Sequence, residues 1–397
     1  MDKKITKLYC RRAKIINKKA TPCAREDNES IHSTKPILSY DVLFSIFLKL
    51  PNHTLARCKS VSKDFNTIIS DTKFLALRNH SIIVQAQRQS ITTSTPFFKH
   101  FRIGFPKVEE IPLEMPNDMP SDPYLVGSCH GLLCFFGFKH NGRVHYVYNS
   151  LTEKWISSPP IESSGKRFCV IYHKRSTGAY HLLTHVLNGL QFMVHELGTS
   201  HWRAVSEEDF PYVPLQHKQS TAVAMFGCIY WICHSLIGHE RRMILAFDVE
   251  TEQFSSVKEP PRVRRPYNDS DEALTLVETD VGLGYPAFDE STMNIWVMKS
   301  RESAWEKVYA IKLKPIQGSL KTHWDYPFYV VMQCTMGEIW FTDHGRQTGG
   351  NWKFTVYDCK SCTFRSVDLR DWLPGCYTGA ISYTPCLWKS SISSNAF

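Results

Sequence analysis

The sequence predicts a mainly β protein, with a small N-terminal three-helix module ahead of a long succession of short strands. Three observations predict it. Before about residue 80 the apolar side chains recur at helical spacing, and after it they come in short strand-like runs. All 10 Trp stand at position 155 or later, so the two parts draw on different core residues. Aromatic residues that follow a turn return at a nearly constant interval through the second part.

Residues 1–35 read as a basic leader without regular structure. Positions 1–25 hold nine bases (Lys3, Lys4, Lys7, Arg11, Arg12, Lys14, Lys18, Lys19, Arg25) against one acid, Asp2. The whole chain carries +9, so the rest is close to neutral. A nucleic-acid-binding domain carries its basic excess on the folded face that meets phosphate, so nucleic acid is not expected as a partner. The leader fits a solvated extension first and a nuclear-import patch second, with a weak anion-binding arm as a third reading. A mitochondrial presequence is disfavoured because the basic run has no serine. The longest apolar run is about Gly131–Phe138, whereas a membrane helix needs roughly 20 residues. Neither a membrane span nor a signal peptide is expected, and the chain is placed in the nucleus or cytoplasm. The 13 cysteines are odd in number and lack framework spacing, which favours a reducing compartment over a disulfide scaffold.

Residues 36–80 are expected to form the helical module. Ser39 can cap a first helix, its hydroxyl accepting from a backbone N–H of the first turn. Val42, Leu43, Ile46, Phe47 and Leu50 follow on one helical face, and Pro51 ends it. Thr54 is expected to cap a second helix with Leu55, Cys58 and Val61, and a third carries Phe65, Ile68 and Ile69. Forty residues are near the lower limit for a self-supporting core, and these hold more apolar side chains than so small a bundle hides. The surplus must meet another surface, in this chain or in another protein. The run Leu38 to Pro51, with Lys49-Leu50-Pro51 closing the helix, then Arg57, Val61, Phe65, Ile68, Ile69 and Phe74, resembles an F-box. Ser39, Ser62 and Phe65 replace the family's proline, cysteine and tryptophan. The resemblance implies docking onto a Skp-family adaptor, and through it a cullin, with Leu38, Val42, Leu43, Ile46, Leu50, Pro51 and Leu55 as the contact residues.

Residues 81–123 are expected to be an extended connection that contributes closing strands. Pro106, Pro112, Pro116, Pro120 and Pro123 forbid a regular helix there. Residues 124–388 carry the repeat, and 389–397 a frayed serine-rich tail. The aromatic anchors are Trp155, Trp202, Phe254, Trp305 and Phe364, separated by 47, 52, 51 and 59 residues. An interval of about 50 residues is that of a four-stranded propeller blade of the kelch type. Gly131, Gly227 and Gly337 each precede an apolar strand and fit a tight turn. A closed ring removes exposed sheet edges, so the repeat predicts a β-propeller of about six blades, with seven as the alternative. The sixth is expected from both ends of the domain, with 379–383 pairing near 82–85 or 98–103. Ser128-Cys129-His130-Gly131-Leu132-Leu133-Cys134, Tyr148 to Trp155 with Pro159-Pro160, and Ser303 to Tyr309 are similar to the F-box-associated domain of plant F-box proteins. That resemblance implies substrate capture by the propeller.

The chain lacks a nucleophile elbow, a phosphate loop and a paired-histidine metal helix. Gly127 to Gly131 places Ser128 and Cys129 beside His130, but neighbours on a strand point to opposite faces, so the run reads as a turn. Cys359 and Cys362 form a CxxC without a second ligand pair, and Cys228, Cys233 and His234 fall in a core-like strand. No cofactor, metal or catalytic residue is expected. The loops Ser235–Arg242, Lys258–Asp271 and Asp343–Trp352 share one face of the ring on this strand reading. They hold His239, Arg241, Arg242, Arg262, Arg264, Arg265, His344 and Arg346, a set suited to an acidic or phosphorylated segment of an unknown protein substrate. The expected function is the non-catalytic substrate receptor of a cullin-type ubiquitin ligase. A propeller enzyme, or a glycan-binding scaffold with a helical appendage, is the alternative.

Overall fold

The computed structural model describes residues 38–50, 52–71, 74, 80–89, 94–102, 108–111, 117–119, 123–129, 132–140, 142–149, 154–162, 168–186, 190–207, 210–214, 222–236, 242–261, 275–288, 292–313, 329–335, 337–343, 353–368 and 382–387. The expected leader and tail lie outside these residues. The chain divides after Val42 into two compact units. No helix among the described residues is long and apolar enough to cross a membrane.

Three helices open the described chain: α1 (Tyr40–Lys49), α2 (Asn52–Lys59) and α3 (Lys63–Ser70). Ser39 caps α1, its hydroxyl accepting from the Val42 N–H at 3.4 Å. Ser62 caps α3 in the same way, accepting from the Phe65 N–H at 3.1 Å. Thr54 does not cap α2, which starts two residues earlier at Asn52. Phe47, Leu55, Ile68, Ile69 and Phe74 are buried together, with Leu43, Phe44, Leu50 and Phe65 packed on them. The rings meet edge to face, Phe47 with Phe65 at 4.9 Å and Phe44 with Phe74 at 5.2 Å. That geometry suits the ring quadrupoles and fills a small core with few residues.

The rest of the described chain is β. Strands β1 (His80–Gln89), β2 (Ser94–Arg102) and β3 (Val108–Ile111) begin it. β4 (Tyr124–Cys129), β5 (Leu132–Lys139), β6 (Gly142–Asn149) and β7 (Lys154–Ser157) form a meander, as do β8 (Cys169–His173), β9 (Tyr180–Val186), β10 (Gln191–Glu196) and β11 (Arg203–Ala204). Next, β12 (Tyr212–Pro214) and β13 (Val223–Met225) share one edge of β14 (Cys228–Ser235), followed by β15 (Arg242–Asp248) and β16 (Phe254–Val257). β17 (Val277–Thr279), β18 (Gly282–Phe288), β19 (Thr292–Met298) and β20 (Glu306–Lys312) come next. β21 (Tyr329–Thr335), β22 (Glu338–Asp343), β23 (Lys353–Asp358) and β24 (Thr363–Asp368) follow, and β17 joins β21 through a parallel pairing of Thr279 with Cys334. The last strand, β25 (Ser382–Leu387), pairs with β1, Val84 opposite Tyr383 and Gln85 opposite Ser382.

Residues 81–123 are expected to connect the two parts and to contribute closing strands; in the structure β1, β2 and β3 are three strands of one sheet with β25, and of the two segments expected to meet 379–383 it is 82–85 that does. Pro123 stands just before β4, where a missing N–H costs no ladder bond.

The central strands are buried on both faces, which happens when sheets stack face to face. One cluster holds Leu132, Cys134 and Val147 against Cys169, Ile171 and Leu182 of the next meander. A second sets Leu183, Phe192 and Val194 against Ile229, Trp231 and Phe247. A third sets Ile232 and Ile244 against Leu283 and Met298, and a fourth sets Ile295 and Val297 against Cys334 and Ile339. β25 in turn lies beside both β4 and β21, so the succession of sheets closes on itself. The fold is a β-propeller-like domain after a helical module.

The aromatic anchors explain the sequence interval. Trp155, Phe254 and Phe364 stand on the last strand of their meanders, directly opposite Tyr148, Phe247 and Tyr357. Ring centroids in these pairs are 4.8, 5.1 and 4.9 Å apart. Trp202 and Trp305 act between meanders instead. Their indole N–H groups donate to the carbonyls of Pro159 and Lys258 at 3.0 and 2.7 Å.

Candidate functional site

α1 carries an apolar stripe wide enough for two surfaces. At about 100° per residue, Leu43, Phe47 and Leu50 fall on one edge of the stripe and Val42 and Ile46 on the other. The first edge packs into the helical core: Phe47 is buried, and Leu43 and Leu50 are half-buried. On the other edge Val42 is 44% exposed and Ile46 41% exposed, with Leu38 just ahead of the helix at 51%. Covering the area they leave in water would recover roughly half of the 1.5–3 kcal/mol that full burial of such a side chain is worth, so the pattern suits a surface that another molecule covers. Tyr40 and Val61, which the sequence reading did not single out for contact, are also exposed. Exposure of a lone valine in a short turn leaves no periodic signal in the sequence.

Leu55 is a correction. It is 2% exposed and belongs to the core between the helices, so it is not available for contact. With α2 starting at Asn52, position 55 turns inward towards Phe47 and Ile68. Pro51 lies outside the described residues. At the end of α2, burial lowers the Lys59 ammonium below its ordinary range.

Most of the expected substrate face lies outside the described residues. β14 ends at Ser235, β15 starts at Arg242 and β22 ends at Asp343, so the loop limits agree with the strand ends. Arg242 opens β15 opposite His234. His239, Arg241, Arg262, Arg264, Arg265, His344 and Arg346 lie outside the described residues.

The sequence candidates for chemistry take structural places. Ser128 and Cys129 end β4 and pair with Leu133 and Leu132 in the ladder with β5, and His130 lies outside the described residues. Cys228 and Cys233 are buried in the core, and burial raises both thiols, Cys233 to about 12. Among the described residues no group of three or more His, Cys, Asp and Glu side chains is placed to hold a metal ion.

Comparison with known proteins decides the family. The F-box associated beta propeller domain matches residues 75–376. The chain belongs to the F-box-associated β-propeller family. An F-box domain matches residues 36–77, the span of the three helices. F-box domains as a class bind Skp-family adaptors in Skp–cullin–F-box complexes. The chain is 26% identical over 301 residues to the F-box protein At2g21930 of Arabidopsis thaliana, covering 68% of this chain and 71% of that one. It is 26% identical over 306 residues to the Arabidopsis thaliana F-box protein ETP2, covering 70% and 77%. It is 24% identical over 309 residues to the putative F-box/kelch-repeat protein At1g12870 of the same plant, covering 69% and 71%. The F-box-associated match starts at residue 75 and takes in β1, β2 and β3.

Proposed function

We propose that this F-box protein is a non-catalytic substrate-recognition subunit of a Skp–cullin–F-box ubiquitin ligase. The observation that carries the reading is the apolar exposure of Leu38, Val42 and Ile46 along one edge of α1 and its approach. An adaptor helix laid on them would remove that surface from water, and Leu43, Leu50 and Pro51 would line its edge. The same reading takes the six strand groups as six blades of a kelch-like C-terminal propeller. It gives client capture to the loops carrying His239, Arg241, Arg242, Arg262, Arg264, Arg265, His344 and Arg346. A receptor of this kind needs no catalytic group, because holding the acceptor beside the transferring enzyme raises its effective concentration. It would work in the nucleus or cytoplasm, where adaptor and cullin are available.

The test is binding of the full chain to a purified Skp-family adaptor. V42D and I46D should each weaken the complex by at least about tenfold, since each loses burial and places a charge in an apolar contact. Both should leave the melting temperature nearly unchanged, because the two side chains already face solvent. Unchanged affinity in the double variant would sink the docking surface. Charge reversal at Arg264 and Arg265 should abolish client capture without touching adaptor affinity.

A further inference from the structure

Cys359 and Cys362 lie in the turn between β23 and β24, and this turn repeats the aspartate-capped hydrogen bonds of the one between β15 and β16. In the first, Asp248 Oδ1 accepts from the Glu250 and Thr251 N–H groups, both at 3.0 Å. In the second, Asp358 Oδ1 accepts from Lys360 and Ser361 at 2.7 and 2.9 Å. The next backbone N–H, of Val249 or Cys359, donates to the carbonyl of Gly227 or Gly337 at 3.1 or 2.8 Å. Glu252 and Cys362 both take left-handed backbone, φ 59° and 56°. Cys359 therefore stands where Val249 does, and Cys362 where Glu252 does.

The repeat is structural, but the chemistry of the two turns differs. Glu252 is tied to Lys174 and Arg203, whereas Cys362 is exposed, with its Sγ turned back to 3.9 Å from the Cys359 carbonyl oxygen. Cys359 is half-buried against the cluster around Ile339 and Tyr309. A fixed turn thus presents an open thiol and a partly covered thiol three residues apart. Residues so spaced across a β-turn have α-carbons within about 7 Å, the span a disulfide bridges.

We infer that Cys359 and Cys362 are a reversible dithiol–disulfide site, oxidised by a peroxide. The exposed Cys362 sulfur attacks the peroxide. An S–O bond forms, the O–O bond breaks, and the departing oxygen leaves as water, giving a sulfenic acid. The Cys359 sulfur then attacks the Cys362 sulfur. The S–S bond forms, the S–O bond breaks, and a second water leaves with the Cys359 proton. The two thiols together lose two electrons, which the peroxide gains. Burial pushes the Cys359 thiol up to about 11, so its thiolate is scarce at neutral pH and ring closure quickens as pH rises. The buried thiols Cys228 and Cys233, which lie in another meander, should stay reduced and serve as internal controls.

The experiment treats the full chain with hydrogen peroxide, alkylates the remaining thiols and weighs the peptides. The peptide with both cysteines should lose two hydrogens and resist alkylation, and dithiothreitol should restore both thiols. Closure should accelerate between about pH 7 and pH 9. In C359S the reaction should stop at a sulfenic acid on Cys362 that a dimedone-type probe captures. In C362S, Cys359 should remain open to alkylation. The inference is overturned if the unaltered chain accumulates as much sulfenic acid as C359S, if Cys362 passes to sulfinic acid with Cys359 still free, or if Cys362 bridges to a different cysteine. The last two outcomes are read on the unaltered chain alone, so the inference can be overturned even where a variant fails to fold.

Discussion

Phe226 and Gly227 fill a two-residue turn between β13 and β14 with φ of 52° and 75°. Two left-handed residues in succession make a type I′ hairpin, whose twist matches that of the strands it joins. A Cβ added at Gly227 would meet nothing within 4 Å, so the cost of G227A is conformational alone. It should be about 1–2 kcal/mol in a denaturant titration. F226N should move the other way, because asparagine tolerates this backbone better than phenylalanine, and the ring it replaces is 38% exposed. The indole latches are a second residue-scale device. W202F keeps a ring between His145 and His195 but removes the donor to Pro159. The expected loss is about 0.5–1.5 kcal/mol, the net value of one hydrogen bond. Both tryptophans are legible in the sequence as anchors because aromatic residues recur. Their role as latches is not, because the accepting carbonyls of Pro159 and Lys258 have no side-chain signature.

At the scale of elements, α1 shows how one apolar stripe divides. Leu43, Phe47 and Leu50 build the module, and Val42 and Ile46 are left to solvent. Substitution of Leu55 should therefore read as instability rather than lost contact. L55A should cost about 2–5 kcal/mol, and its adaptor affinity should recover under conditions that restore folding. The stripe itself was legible from spacing, but its division was not. Which edge is covered depends on where α2 and α3 cross, and that is set by their capping at Ser62 and their start at Asn52. Between sheets, the turn after β15 acts as a connector. Lys174 and Arg203 reach Glu252, Lys174 at 3.1 Å, and Arg301 of the next meander reaches Asp248 at 2.7 Å. Burial raises the Glu252 carboxyl, but the hydrogen bonds from Arg203 and Lys174 outweigh it and hold the group below its ordinary value. E252Q should destabilise the domain by more than a substitution at an exposed, unpaired acid does, and high salt should narrow the difference.

At the scale of the whole molecule, the acid response follows from histidines built into the β domain. His145, His181, His185 and His195 are all buried. Burial holds His181 and His195 below the ordinary imidazole value, His181 despite Glu196 at 3.4 Å. Their folded values lie beneath the unfolded value of about 6.5, so the neutral ring is the folded form and its contribution is complete above that pH. It is lost as pH falls from there towards the folded values. The unfolding midpoint should thus decline between about pH 7 and pH 5.5, before most carboxylates titrate, and H195Q should flatten that decline. These histidines read as ordinary strand residues in the sequence, since burial on both faces follows only from sheets stacking on each other. The sequence by itself determined the order of parts, helices and then a strand repeat, because period and punctuation are local properties of the chain. It also marked the anchors at 155, 202, 254, 305 and 364, since a bulky ring recurs near the last strand of each of these meanders, three of them facing a ring on the neighbouring strand and two latching the preceding meander. Only the tertiary structure decided which of the two candidate segments, 82–85 rather than 98–103, takes 382–387 as its partner, and which side of α1 stays open. Both depend on contacts between segments far apart in the chain, and no local pattern encodes the partner of a strand or the cover of a helix.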